Sequence, residues 1–132
     1  MEKIITALQG RKKANTRLTR NSKLFKSILK SIKDKKGEEI VSLDLKKIDE
    51  AVADFFVVCQ ANSNIQIKAI ADFIEETVWN ECEEKPYHVE YGKDWTLIDF
   101  VNIVVHVFQS EQRKFYDLEG LWEDAERMEH KD

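Results

Sequence analysis

The chain has 132 residues, of which 42% are hydrophobic and 35% charged, with four glycines and one proline. This composition fits one globular domain and excludes collagen, a wholly disordered chain and a disulfide-stapled mini-protein. The longest apolar runs, Phe55–Cys59 and Ile103–Phe108, are strand-sized, about a third of the length of a membrane-spanning helix. These short runs predict a soluble protein without membrane contact. Two cysteines make no disulfide framework, so we expect a reducing compartment, the cytoplasm or, as the alternative, an organelle.

Charge is distributed unevenly along the chain. Residues 1–36 hold 12 Lys and Arg against two acids, whereas residues 37–132 hold nine against 23. Such a basic segment can contact RNA phosphates through sequence-independent electrostatics, or it can be a solvated tail followed by the charged face of a helix. We therefore divide the chain into a basic, partly ordered extension over residues 1–20, a folded domain over residues 21–127 and a polar tail over residues 128–132.

The first predicted element is a helix that begins after Asn21 or Ser22 and ends at Gly37. Lysines fill one of its faces, and the apolar residues recur at helical spacing on the other: Leu24, Phe25, Ile28, Leu29 and Ile32. Glu39–Leu45 then alternates between apolar and polar residues, which predicts a half-buried strand. Ala53–Cys59 is apolar on both faces, which predicts a central strand covered on both sides.

A second helix is predicted from the N-cap candidates Asn62, Ser63 and Asn64 to about Glu81, because Pro86 forbids its continuation. Three short strands follow at residues 88–91, 95–100 and 103–108. Ser110 is expected to cap a last helix with an apolar stripe of Phe115, Leu118, Leu121, Trp122 and Ala125. These elements predict an α/β fold in which a mixed sheet of about five strands packs against helices.

A search for catalytic or metal-binding residues finds no convincing set. The three histidines are scattered, and the isolated glycines form no phosphate-binding loop. Asp44 and Asp99 are followed two residues later by Lys46 and Val101, so neither forms the carboxylate pair that two-metal nucleotidyl transfer needs. The pattern therefore predicts no metal, no cofactor and no catalytic residue.

Aromatic residues are the more prominent candidates for function. Trp95 follows the turn Gly92–Asp94, and this turn is expected to direct its side chain outward. Tyr116 lies beside the apolar stripe of the last helix, whereas Leu118 lies within it and is expected in the core. Trp and Tyr on a rigid surface are common anchors of protein interfaces, so Trp95, Tyr116 and Trp122 are contact candidates.

Seven sequence blocks stand out as a set along the chain: residues 35–37, 41–45, 53–59 and 62–63, then Trp95–Phe100, Val104–Phe108 and Arg113–Trp122. In their sequence and order these blocks resemble the ribosomal silencing factor family, also called the Iojap-like family (RsfS). The resemblance extends from about Asn21 to Glu126.

The resemblance implies a nucleotidyltransferase-like fold that is catalytically inert. It also implies binding to the large ribosomal subunit through its fourteenth protein, which blocks association with the small subunit and represses translation under nutrient limitation. The family's conserved positions correspond to fold-critical or partner-contacting residues here, namely Trp95, Asp99, His106, Tyr116, Leu118, Glu119, Leu121 and Trp122.

The alternatives to a silencing function are an active nucleotidyltransferase and a self-associating assembly factor for the large subunit. A homodimer of the free protein and a contact between the basic N-terminus and ribosomal RNA are further expectations.

Overall fold

The computed structural model describes residues 17–49 and 51–131. Within them, two long helices and two single-turn helices accompany six strands. The helices are α1 (Lys23–Asp34), α2 (Asn64–Cys82), α3 (Arg113–Tyr116) and α4 (Leu118–Leu121). The strands are β1 (Glu38–Asp44), β2 (Phe55–Ala61), β3 (His88–Glu90), β4 (Trp95–Asp99), β5 (Ile103–Gln109) and β6 (Glu126–Glu129).

All six strands form one sheet in the order β3-β4-β5-β2-β1-β6. The central strands β2 and β5 are parallel, with Val57 opposite Val105, and the other neighbouring pairs are antiparallel. Because layers cover both faces of this centre, β2 is buried at every position except Gln60. The predicted mixed sheet with this central strand is confirmed, and β6 adds a sixth strand to the five predicted.

The sheet has a different covering on each face. On one face α1 and α2 pack over the side chains of Phe55, Val57, Ile98, Val105 and Val107. On the other face the segment before β2 and the segment around α3 and α4 pack over a second cluster, which contains Phe56, Val58, Trp95, Leu97, Val104, Phe108 and Leu118. Among residues 17–49 and 51–131, the second covering contains no long helix.

Local capping sets the ends of the long helices. The Ser63 hydroxyl oxygen accepts a hydrogen bond from the Gln66 amide at 3.1 Å, so one of the predicted N-cap residues caps α2. Glu83, with φ of 56°, ends α2 in the left-handed conformation. At Gly37, after α1, a Cβ atom would overlap the Ile32 side chain.

None of the helices in residues 17–49 and 51–131 is long and apolar enough to cross a membrane.

The predicted last helix is replaced by two single turns and a strand. Asp117 adopts a φ of 44° between α3 and α4, and its carboxylate accepts a hydrogen bond from the Gly120 amide, so one helix ends and another begins there. Ser110 does not cap a helix, because α3 begins after Gln112 and the Ser110 hydroxyl faces two acceptors beyond β2, Asn62 Oδ1 at 2.7 Å and the Ala61 carbonyl oxygen at 3.0 Å. β6 pairs with β1, and the His130 amide donates to the Ile40 carbonyl oxygen, so ordered structure extends into the predicted polar tail.

The last residues of the predicted basic extension contact the domain, while residues 1–16 lie outside the described part of the chain. The Leu18 amide donates to the buried Asp54 carboxylate at 2.8 Å, and the Leu18 side chain packs on the α1 and α2 cluster. Arg17 donates to the Lys46 carbonyl oxygen at 3.1 Å. Residues 17 and 18 are thus held against the connection between β1 and β2.

Candidate functional site

Trp95 lies inside the second cluster, and its predicted outward orientation is wrong. Its side chain is 6% exposed, and its ring lies 4.4 Å from that of Phe108 and 5.1 Å from that of Tyr116. The antiparallel register places Trp95 opposite Phe108 on the covered face of the sheet. A Cβ at Gly92 would overlap the Trp95 carbonyl oxygen, so the preceding turn approaches the strand closely. Truncation of Trp95 would open a cavity in this cluster.

His106 is the buried hydrogen-bond partner of Trp95. The indole Nε1 donates to His106 Nδ1 at 3.1 Å, so the neutral ring carries its proton on Nε2. Burial without a charged partner lowers the pKa of His106 to about 3. Its ring lies 4.5 Å from that of Phe56, and Nε2 has no hydrogen-bond partner among the residues that the structure describes. His106 therefore links two strands within the core.

Asp99 is also internal. Its carboxylate accepts a hydrogen bond from the Val101 amide at 2.7 Å, and Val101 has a φ of 72°. This hydrogen bond supports the tight connection between β4 and β5, which carries a non-glycine residue in a left-handed conformation.

Leu118 is 3% exposed within the second cluster, so its predicted core position is confirmed.

Glu119 takes part in an ion-pair network that fixes α3 and α4 to the sheet. Its carboxylate accepts a hydrogen bond from Arg113 Nε at 2.9 Å and lies 3.5 Å from the Arg127 guanidinium. Arg113 is 8% exposed and also donates to the Glu39 carbonyl oxygen at 2.6 Å and to Gln60 Oε1 at 3.1 Å. Arg113 is absent from the predicted site residues. Arg113 and Glu119 are six residues apart and pair because the helix breaks at Asp117, and this break was not predicted.

An exposed apolar surface remains above this anchored segment, and we call it the docking face: Phe115, Tyr116, Leu121 and Trp122. Phe115 is 78% exposed and Leu121 is 55% exposed, while Tyr116 and Trp122 are half-buried. The Tyr116 ring packs on Trp95, and the Trp122 ring lies 5.6 Å from Phe56. The docking face thus consists of two exposed apolar side chains and two half-buried aromatic rings that pack against the second cluster.

Asp54, Asp44 and Cys59 are titratable side chains with structural roles. No group of three or more His, Cys, Asp and Glu residues within residues 17–49 and 51–131 could hold a metal ion. The buried Asp54 carboxylate accepts a hydrogen bond from the Asn102 amide group at 3.0 Å, and Asp44 pairs with Lys46 at 3.0 Å. Burial raises the pKa of Cys59 to about 12, so this thiol is protonated at neutral pH.

Comparison with known proteins places the chain in a family. A family model described as "Ribosomal silencing factor during starvation" matches residues 19–132. The ribosomal silencing factor RsfS of Halalkalibacterium halodurans is 37% identical over 110 residues, which are 83% of this chain and 93% of that protein. A mouse protein named "Mitochondrial assembly of ribosomal large subunit protein 1" is 32% identical over 73 residues, 52% of this chain and 32% of that protein. A crystal structure from Chromobacterium violaceum has a TM-score of 0.70 at 29% identity, covering 76% of this chain and 83% of that chain. The chain belongs to the ribosomal silencing factor family.

Proposed function

We propose that this chain prevents the joining of ribosomal subunits by binding the large subunit on the face that meets the small one. Its partner there is the fourteenth protein of the large subunit, and occupancy of that surface represses translation when nutrients are short. Membership of the silencing factor family supports this proposal, as does the name of the mouse relative, which refers to the large subunit. The bacterial relative favours action in the cytoplasm.

The docking face is the observation that carries the proposal. Phe115 and Leu121 project from a segment that Arg113 and Glu119 tie to the sheet. Binding hot spots combine such apolar anchors with a rigid support, because little conformational entropy is then lost on association. A protein held through this face can exclude the small subunit simply by occupying space.

Silencing by occupancy requires no reaction, so we propose that the chain is not an enzyme and uses no cofactor. The rival hypothesis is an active nucleotidyltransferase, which needs carboxylates that converge on metal ions. In this chain Asp54 accepts hydrogen bonds from Leu18 and Asn102, and Asp99 supports a turn. Metal-dependent nucleotide turnover by the purified chain, lost on substitution of Asp54 or Asp99, would favour the rival.

A sedimentation assay tests the proposal. Purified large and small subunits are mixed with increasing amounts of the full chain, and the fraction of joined ribosomes is measured. We expect that fraction to fall and the chain to migrate with free large subunits. Unchanged joining at saturating protein would refute the proposed function.

Matched variants then test the docking face. Phe115→Ala combined with Leu121→Ala removes two exposed apolar side chains, so folding should be retained while large-subunit affinity falls by at least about tenfold, or 1.4 kcal/mol. Ile65→Ala combined with Tyr87→Ala is the control, since Ile65 and Tyr87 are also exposed large residues but lie on α2 and beside β3. Equal losses in both double variants would show that the docking face is not the contact.

We also propose that the free protein forms a homodimer through the docking face. An exposed apolar surface can be buried against a second copy when the partner is absent. Mass measurements should show a dimer that the Phe115 and Leu121 double variant weakens and that added large subunits dissociate. A dimer that stays intact on the subunit would contradict a shared surface.

The basic N-terminus is the remaining proposed contact, and its partner is ribosomal RNA. Deletion of residues 1–16 keeps the anchoring contacts of Arg17 and Leu18 and removes Lys3, Arg11, Lys12 and Lys13. For each lysine or arginine that binds a phosphate, the deletion should reduce the slope of log affinity against log salt by about 0.7 to 0.9. An unaltered slope for large-subunit binding would make these residues a solvated tail.

A further inference from the structure

Four lysines form a continuous stripe along the outer face of α1. Lys23, Lys26, Lys30 and Lys33 are three, four and three residues apart, which places them on one side of an α-helix over about 15 Å. The opposite side of the helix is buried, with Phe25, Ile28 and Ile32 in the core. We call these four lysines the α1 stripe.

The α1 stripe is held on a rigid element. The Ser27 hydroxyl on the inner side of α1 donates to Glu81 Oε1 of α2 at 3.1 Å. Lys30 lies 3.9 Å from Glu81, but its side chain is 65% exposed, so solvent weakens this pair and the ammonium group remains open to other anions. The spacing of the lysine side chains is therefore set by a packed helix.

The α1 stripe and the docking face lie on opposite sides of the sheet. Helix α1 packs on the face that carries Phe55 and Val57, whereas the docking face covers the face that carries Phe56 and Val58. The stripe also lies within the part of the chain that carries most of the basic excess, while residues 37–132 are strongly acidic. Helix α2, which packs beside α1 on the same face of the sheet, carries four acids against one lysine, so a polyanion is attracted to the stripe and repelled by the surface next to it.

The composition of the α1 stripe favours phosphates over a protein partner. Protein interfaces are depleted in lysine and depend on buried apolar anchors, and the outward positions of α1 between Lys23 and Lys33 provide no fully exposed apolar side chain. The one aromatic residue of α1, Phe25, is buried, so bases of single-stranded RNA find no stacking platform there. Flexible ammonium groups at regular spacing suit the backbone of a duplex.

We infer that the α1 stripe binds the phosphate backbone of double-stranded RNA without regard to sequence. This RNA-binding surface goes beyond the proposed function, because it does not involve the docking face or residues 1–16. It gives the chain a second, electrostatic contact on the side opposite its apolar contact.

Binding to an isolated duplex tests the inference. The full chain is titrated onto a fluorescent RNA duplex of about 16 base pairs, and anisotropy is measured at salt concentrations between about 50 and 200 mM. The variant replaces Lys23, Lys26 and Lys30 with Gln and retains Lys33, which is only half exposed. We expect the three substitutions to weaken binding at least tenfold at the lowest salt and to reduce the log-log slope by about 2 to 3.

The matched control replaces Lys47, Lys93 and Lys131, three exposed lysines outside α1, with Gln, so the net charge changes equally.

Equal reductions in affinity for both triple variants, or no duplex binding by the parent chain at the lowest salt, would overturn the inference. A stripe variant that loses binding to polyglutamate but keeps its RNA affinity would also overturn it, in favour of an acidic protein partner. A chain that binds RNA through the stripe yet fails to block subunit joining would refute the proposed function alone.

Discussion

At the scale of single residues, the pair of Trp95 and His106 shows how a polar group can be built into an aromatic core. The imidazole accepts the indole N–H, which satisfies the one polar atom of the buried tryptophan. The same burial disfavours the imidazolium, so this histidine is suited to packing and not to proton transfer at neutral pH. The docking face rests on this pair through Tyr116.

This burial predicts a loss of stability in acid. The pKa of His106 is about 3 in the folded chain against 6.5 ordinarily, so the unfolded chain binds more protons between these pH values. Stability therefore falls as pH decreases through this window, by about 2 kcal/mol between pH 7.5 and 5.0. His106→Gln keeps an oxygen that can accept from the indole but does not titrate, so denaturant unfolding should lose this part of the pH dependence.

A second histidine must be considered when that experiment is interpreted. The pKa of His130 is lowered by partial burial and by the nearby Arg20 and Lys33, so His130 adds a contribution of the same sign that remains in the His106 variant. An unfolding free energy that falls as steeply in His106→Gln as in the parent chain would contradict the assignment to His106.

At the scale of elements, the periodic segments could be predicted and the segment after β5 could not. Helices α1 and α2 and the central strands follow from apolar spacing that matches one secondary structure. The alternation of side chains along a strand puts Trp95 and Leu97 on one face of β4, but it does not show that both faces of β4 are covered. In β6 all four residues are exposed, so this edge strand has no hydrophobic pattern and depends on pairing with β1.

The candidate site was predicted only in part for the same reason. Tyr116, Leu121 and Trp122 could be selected as aromatic or apolar residues near the end of the chain, but their supports are long-range. Arg113 reaches the Glu39 carbonyl oxygen because β1 has an irregular register there and Glu39 has a φ of 50°. No local pattern encodes a contact between residues 74 positions apart.

Arg113 is expected to position the docking face. Arg113→Met leaves the Glu119 carboxylate and the Glu39 carbonyl oxygen without this partner, which should cost about 2 to 4 kcal/mol of unfolding free energy. Hydrogen exchange should accelerate first at the amides of residues 113–122, while β2 and β5 stay protected. A purely global loss of stability would raise exchange everywhere and contradict a local role.

Arg127→Met is the control for this variant. Arg127 lies 3.5 Å from the same Glu119 carboxylate, but it is far more exposed than Arg113, so solvent screens the pair and the cost should stay below about 1 kcal/mol. Arg113→Lys should fall between the two, because an ammonium group cannot make the separate Nε and Nη1 hydrogen bonds of the guanidinium. Similar costs for both Met variants would mean that burial of Arg113 is unimportant.

At the scale of the whole molecule, the sheet separates two surfaces of opposite chemistry. The docking face is apolar and supported by Trp95 and Phe56, while the α1 stripe is cationic and supported by α2. They share no residue and belong to different hydrophobic clusters. Changes in binding free energy from distant sites without shared partners usually add.

This separation predicts multiplicative losses in affinity for the large subunit. The Phe115 and Leu121 double variant, the Lys23, Lys26 and Lys30 triple variant, and their combination are compared by titrating purified subunits. The combined variant should show the product of the two fold-losses. Only the lysine substitutions should reduce the salt dependence, because counterions are released from phosphates and not from apolar contacts. A combined loss no greater than the larger single loss would indicate that only one of the two surfaces reaches the subunit.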